Sequence, residues 1–307
     1  MDPIVDCLII GGGPAGLTAG IYLGRFRRTA VIVDAGQSRV DWIPRSHNLP
    51  GFVDGVVGAD LLASLRTQAK RYGAVIRTGT VGGLTRDAKG LFSADLEANN
   101  IRARTVILAT GVTENPPPIA HLADAVKSGV VRTCPICDGY ESRGKRIAVI
   151  GHGVHAAREA LYLRTYSDTI SLMLTVKDAL SLPENIEDNL VSAGISIAQM
   201  TGGRVAVDLD GATLVSGENG QVYHFDVVYS AFGTTAQTQL AAALGARLDE
   251  DNRFIVNAHQ ETSIDGLYAC GDVVRGLNQI SVAEGEAAIA ATAIHNRLPH
   301  LFAAGES

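Results

Sequence analysis

At 307 residues, 46% hydrophobic and 19% charged, the chain has ordinary globular composition and enough length to bury two cores. A net charge of -6 excludes general attraction to phosphate backbones, and no apolar run approaches the roughly 20 residues that span a bilayer. Four cysteines are too few for a disulfide framework, and "MDPIVDCLII" has no basic n-region or cleavage site, so a cytoplasmic protein without nucleic-acid or membrane partners is expected. In chain order, "IVDCLII" reads as a buried strand, "GGGPAG" as a tight turn, "LTAGIYLGRF" as a helix and "AVIVD" as a second strand, which makes a βαβ unit. An irregular stretch, 41–58, precedes a helical run, "ADLLASLRTQAKRYG". Short segments around Val81, Phe92 and Ile101 predict a small antiparallel meander ahead of the strand "TVILATG", which ends at Gly111.

The breaker cluster "TENPPP", Thr113 to Pro118, predicts a hinge, because consecutive prolines fix φ and remove backbone donors. Beyond it the plan repeats: "RIAVI" is a strand, "GHGVHA" a glycine turn, "AREALYL" a helix, "TISLML" a strand, and a second meander runs from about Gly203 to Phe225. "VVYSAFG" echoes "TVILATG", while "GLYACGDV" and "SVAEGEAAIAATAIHNRL" have no counterpart in the second unit and return to complete the first. The expected fold is α/β, with two Rossmann-like three-layer dinucleotide-binding domains, the second inserted in the first. Residues 1–114 and 236–307 form one domain, and 118–232 form the other, which carries the C-x-x-C.

Gly11, Gly13 and Gly16 stand as G-x-G-x-x-G between a strand and a helix, and Asp34 ends the next strand. That is a dinucleotide fingerprint in its required context: a turn, a close backbone approach to pyrophosphate, tight helix packing, and a carboxylate for the ribose. The other reading is a tight turn without ligand. "CPICDGYE" holds Cys134 and Cys137. A structural zinc site needs two more ligands, whereas Cys7 and Cys270 stand alone in apolar runs and no H-x3-5-H follows. No metal is therefore expected, and Cys7 and Cys270 read as small buried hydrophobes. Two residues between sulfurs instead suit a redox dithiol, with local amides favouring a thiolate. Asp138, next to Cys137, is a candidate proton donor or acceptor if its site raises the pKa, or a helix cap.

The order of "GGGPAG", "NLPGF", "ILATG", "CPICDG", a second glycine loop and "YACGDVVRGLNQISVAEGEAAIAA" resembles the low-molecular-weight thioredoxin reductase family over almost the whole chain. The resemblance implies a flavin-dependent disulfide oxidoreductase, commonly a homodimer, with FAD in the first domain. Gly11, Gly13, Pro14, Ala15, Gly16 and Asp34 would hold its ADP half. Asn48 and Gly111 would sit near the flavin, and Gly271, Asp272, Gln279, Ile280 and Ala283 would line the ribityl chain and ring. It also implies that Cys137 is the flavin-proximal sulfur and that Cys134 exchanges with a thiol or disulfide substrate such as thioredoxin.

The second loop departs from that pattern. Gly151, Gly153 and Ala156 persist, but the family's His-Arg-Arg cluster for the 2′-phosphate of NADPH is replaced by "TVKDALS", with Lys177 its only cation. A dianionic phosphate is held by guanidinium forks rather than by one solvated lysine. Thr175 stands where NAD would want an acid, and Asp178 comes several residues late. His152 and His155 would crowd a pyrophosphate or stack on a ligand, or else are plain loop histidines; a position near a helix N-terminus predicts a neutral His155. "FGTTAQT" lacks the family's Pro-Asn. NADPH use is therefore not expected, and three fillings stay open: no ligand, with electrons from a partner such as ferredoxin; a second FAD; or weak nicotinamide binding. Dithiol oxidases that pass electrons to oxygen share the scaffold, although they tend to carry His where this chain has Asp138. A non-catalytic flavin carrier or sensor is the remaining alternative. "GRFRR" suits the negative end of the first helix or an acidic docking partner. Trp42 is placed near the flavin or its access route. The tail residue Phe302 is assigned either to a disordered end or to a dimer contact.

Overall fold

Strand β1 (Val5–Ile10) and strand β2 (Ala30–Asp34) are parallel, with Cys7 opposite Ala30. From Cys7 to Ile10 and from Ala30 to Val33 they are apolar and buried, as expected of strands in a parallel sheet covered on both faces. Helix α1 (Pro14–Arg25) joins them. Its start is set by Gly13 in extended conformation and Pro14 in the first turn, where a fixed φ helps and a missing N–H costs nothing. Small residues let α1 lie close to the sheet: a Cβ on Gly20 would stand 2.6 Å from Ile32 Cδ1. The helix stops before Arg27, which takes φ +59.

Helix α2 (Gly58–Arg71) leads to strand β3 (Val75–Thr78) beside β2. Strands β4 (Gly83–Arg86), β5 (Phe92–Leu96) and β6 (Asn99–Leu108) follow. The expected meander is present but not separate. Its third strand and "TVILATG" are one ten-residue strand, β6, antiparallel to β5 and parallel to β1. The structure describes residues 3–299 apart from 97–98, 118, 120–121, 176–181, 201–202, 209–210 and 216–219.

Strand β7 (Val112–Glu114) leaves the first unit, and the second opens with helix α3 (Leu122–Lys127), strand β8 (Val131–Arg132) and the four-residue helix α4 (Pro135–Asp138). The repeated βαβ follows as β9 (Ile147–Gly151), α5 (Gly153–Leu163) and β10 (Ile170–Leu174). After helix α6 (Glu184–Ser192) and β11 (Ser196–Gln199) come three antiparallel strands, β12 (Arg204–Asp208), β13 (Gly211–Val215) and β14 (Val222–Phe225). Strand β15 (Val227–Ala231) completes a five-stranded parallel sheet of order β11-β10-β9-β15-β8. Strand β16 (Thr234–Ala236) pairs with β7, so the two links between the units run together. Helix α7 (Gln239–Ala242), strand β17 (Leu267–Ala269) beside β6, and helix α8 (Ile280–Arg297) return to the first unit.

The fold is thus two Rossmann-like α/β units, one inserted in the other. One unit contains Met1–Asp41, Gly58–Thr113 and the chain from Thr235 on; the other contains Trp42–Val57 and Glu114–Thr234. The irregular stretch around 41–58 differs from expectation, because Trp42–Val57 clusters with the second unit. Each unit has its own core: Leu8, Phe92, Leu108 and Phe254 are fully or almost fully buried in the first, and Ile147, Leu172 and Tyr229 in the second. Each such side chain contributes about 1.5–3 kcal/mol by leaving water. Arg28 departs from the reading of "GRFRR": it is buried and donates to the carbonyls of His295, Leu298 and Pro299. Its charge serves the negative end of α8, not that of α1. Among the described residues no helix is long and apolar enough to cross a membrane. The tail with Phe302 lies outside the described residues.

Candidate active site

In the first unit, the turn between β1 and α1 is tied down by the chain's own packing. A Cβ on Gly11, at φ +118, would stand 2.1 Å from the Ala109 carbonyl oxygen, and one on Gly16 would stand 1.9 Å from the Gly11 carbonyl oxygen. Gly12 is also forced, since its Cβ would stand 2.1 Å from Asp34 Cγ. Gly13 is different. Its φ of -80 and ψ of -174 suit any residue, and an added Cβ would meet only Ser38 Oγ, at 3.5 Å. Neither backbone strain nor packing accounts for a glycine there, so the open space in front of the α1 N-terminus fits a bound pyrophosphate.

The Asp34 carboxylate accepts from Gly36 N and from the Arg66 guanidinium, each at 2.8 Å. One partner per oxygen fixes the group and leaves lone pairs for ribose hydroxyls. Opposite, Gly271 at φ +78 lets three elements converge: its Cβ would stand 3.1 Å from Ala15 Cβ and 3.6 Å from Ala283 Cβ. Glu286 accepts the Gly271 N–H at 2.7 Å, Arg39 pairs with Asp272 at 2.6 Å, and Gln279 stands at the N-cap of α8. The two helix N-termini and the carboxylates thus fit FAD. Gly111 takes φ +66 at the end of the β6 run. Arg39, Arg66 and Glu286 escaped the sequence reading: Arg39 and Arg66 are lone charged residues outside any quoted motif, and Glu286 lies inside the C-terminal motif without a role assigned to it. Asn48 clusters with the second unit, where its Nδ2 donates to the Ile136 carbonyl at 3.4 Å.

In the second unit Cys134 and Cys137 form a disulfide, their Cα atoms 5.3 Å apart. Cys134 is the N-cap of α4, and its Sγ accepts from Cys137 N at 3.2 Å. Asp138 is therefore not the cap; it ends the helix. Burial pushes its carboxyl up to about 6, against the opposing pull of the Arg132 charge and a bond from Tyr229. The Tyr229 hydroxyl donates to Asp138 Oδ1 at 2.8 Å, and Arg132 donates to the Asp138 carbonyl at 2.6 Å. Neither Tyr229 nor Arg132 was legible as a site residue, because β15 and β8 bring them in from distant sequence. Ile136, between the two sulfurs, is 44% exposed, and the exposed Tyr140 ring carries the Arg143 guanidinium 3.8 Å from its centre. Cys7 and Cys270 are buried free thiols, and burial pushes Cys7 up to about 12. Neither can serve as a thiolate at neutral pH.

The glycine loop of the second unit has the same local logic. A Cβ on Gly151 would stand 2.9 Å from Ala156 Cβ, Gly153 takes φ +62, and His152 is the N-cap of α5 with its ring edge-on to Phe232 at 5.6 Å. The expectation of a neutral His155 meets an opposing contact. Its Nε2 lies 3.1 Å from Glu159 Oε1 one turn along α5, and this bond raises its pKa against burial and the Arg158 charge. A specific acceptor here acts against the helix dipole. Thr175 gives its hydroxyl to the Gly151 carbonyl at 3.3 Å; the rest of "TVKDALS", including Lys177 and Asp178, lies outside the described residues.

Comparison with known proteins decides the family. Residues 5–287 match the model of the pyridine nucleotide-disulphide oxidoreductases. The chain belongs to that family. It is 30% identical to a thioredoxin reductase of Borreliella burgdorferi, over 97% of this chain and 93% of the relative. Among solved structures, the atypical thioredoxin reductase TRi of Desulfovibrio vulgaris Hildenborough is 32% identical, with 95% of this chain and 97% of that one covered and a TM-score of 0.53. The thioredoxin reductase of Streptococcus pyogenes shares the fold at a TM-score of 0.88 and 24% identity, covering 96% and 98%. As a pyridine nucleotide-disulphide oxidoreductase of thioredoxin reductase type, the chain is a flavin-dependent disulfide oxidoreductase.

Proposed function

We propose that this oxidoreductase passes electrons from FAD, through Cys134 and Cys137, to the disulfide of a thioredoxin-type protein, and that NADPH is not its electron source. The observation that carries the first part is the Cys134–Cys137 disulfide with a carboxyl of raised pKa on the adjoining residue. Gly11, Gly13, Pro14, Ala15, Gly16, Asp34, Gly111, Gly271, Asp272, Gln279, Ile280 and Ala283 would hold FAD, with Asn48 assigned near its ring. When bound, FAD supplies a two-electron partner for the dithiol.

With two electrons the bond between Cys134 and Cys137 breaks to two sulfur anions, one of which takes the Asp138 proton. Cys134 then attacks one sulfur of the substrate disulfide, forming a mixed disulfide and expelling the other sulfur as a thiolate. Cys137 returns its proton to Asp138 as it attacks Cys134 in that bond, which restores the internal disulfide and releases the second thiolate; solvent supplies the two protons of the product thiols. That the relatives are thioredoxin reductases supports the choice of substrate.

Three observations support the second part. No arginine cluster follows β10 in the sequence, Thr175 bonds its own loop, and His152 and His155 flank the α5 N-terminus. The donor is then an electron-carrier protein of ferredoxin type, acting directly or through a second flavin at Gly151, His152, Gly153, His155 and Ala156. Denaturing the purified protein and counting flavin per chain separates these: two FAD fit a replaced ligand, one fits a protein donor, and stoichiometric bound NADPH contradicts the proposal.

A further inference from the structure

Three polar side chains, those of Asp138, Ser142 and Tyr229, meet in the second unit at the end of α4, the helix that carries Cys137. Tyr229 lies on β15, fully buried among apolar neighbours. A phenylalanine would fill that space without desolvating a hydroxyl, so the hydroxyl calls for a partner. It has two: Asp138 Oδ1 at 2.8 Å and Ser142 Oγ at 2.9 Å. Its single hydrogen goes to the carboxylate. The Ser142 hydroxyl, also fully buried, then gives its hydrogen to the phenol oxygen or, at 3.4 Å, to the Asp138 carbonyl. Arg132, only 12% exposed, holds that carbonyl from β8 at 2.6 Å, with its guanidinium 3.7 Å from Oδ1. Among the described residues, none of these bonds goes to Oδ2, the oxygen left to carry an exchangeable proton.

We propose that Tyr229 is the positioning residue of the Asp138 proton site: its phenol, braced by Ser142, pins Oδ1 so that Oδ2 alone takes and gives the proton beside the dithiol. This deepens the proposed function and rests on its assignment of Asp138 as the proton group. The groups that face the carboxyl are Arg132 from β8, Tyr229 from β15, and Glu141 and Ser142 from the turn after α4. Arg132 and Tyr229 favour the ionised form, while burial and Glu141 favour the neutral one. Removing the phenol hydrogen therefore moves the carboxyl upward, by about one pH unit for one lost bond to a charged acceptor.

The test uses the FAD-loaded protein and two readouts in wild type, Tyr229→Phe, Ser142→Ala and Asp138→Asn. One is the pH profile of single-turnover flavin reduction by a small dithiol. The other is the titration of the infrared carboxyl band that Asp138→Asn removes. The expected result is a wild-type inflection near 6 in both, raised by about one unit in Tyr229→Phe and raised less in Ser142→Ala. An inflection present in wild type, absent in Asp138→Asn and unmoved in Tyr229→Phe overturns the proposal while leaving the role of Asp138 intact. A wild-type profile that survives Asp138→Asn overturns the assignment beneath it. Should Tyr229→Phe not fold, an unmoved titration in Ser142→Ala overturns the proposal by itself.

Discussion

Asp138 illustrates how one residue couples the chemistry to stability. Its carboxyl titrates near 3.8 when unfolded and about 6 when folded. The folded state therefore binds the proton more tightly, and its contribution to stability is full below the unfolded value and lost as pH rises through about 6. Asp138→Asn, which keeps the shape without the charge, should stabilise the protein at pH 8 by at most about 3 kcal/mol and have little effect near pH 4. Thermal unfolding at the two pH values checks this; an equal effect at both would remove the carboxyl from the account. Gly13 makes a second prediction at this scale. Because its Cβ direction is open to everything but Ser38, Gly13→Val should fold normally yet release FAD at least about tenfold more readily, about 1.4 kcal/mol in binding. Dialysis against apo-protein measures it, and unchanged retention would argue against a pyrophosphate there. Asp138 was legible in the sequence because it adjoins a cysteine, whereas Tyr229 was not, since a tyrosine inside "VVYSA" looks like core until the strand order is known.

At the level of elements, local grammar was readable and pairing was not. The G-x-G-x-x-G turn follows from neighbouring residues alone, so β1 and β2 fell where expected, while α1 began three residues earlier than read, at Pro14. The fusion of the meander with "TVILATG" depends on β5 and β1 sharing β6, a partnership that no local pattern encodes. The short helix α4 was invisible to periodicity, with four residues held by a proline start and a cysteine cap. For His155, the dipole argument left out Glu159, which sits one turn further along the same helix and pulls the pKa upward. An element-scale prediction follows from the approach of α1 to β1. Gly16→Ala would drive a methyl group into the Gly11 carbonyl, so the helix must shift, costing about 1–3 kcal/mol, with FAD content falling in parallel. Native FAD content in a variant of normal melting temperature would contradict it.

Across the whole molecule, the insertion of one α/β unit in another was legible because the strand-turn-helix plan restarts after "TENPPP" and the last third has no counterpart. The placement of Trp42–Val57 with the second unit was not, because that stretch has no periodicity to assign it. The question of electron supply also belongs to this scale. NADPH and NADH should each bleach the bound flavin slowly under anaerobic conditions; fast stoichiometric bleaching by either would contradict the reading of "TVKDALS". The exchange between flavin and dithiol is tested most directly by stopped-flow anaerobic mixing of the FAD-loaded protein with excess reduced dithiol, comparing wild type with Cys137→Ser. The account predicts a rapid loss of oxidised flavin absorbance in wild type that disappears in the variant; unchanged flavin kinetics in Cys137→Ser would contradict it.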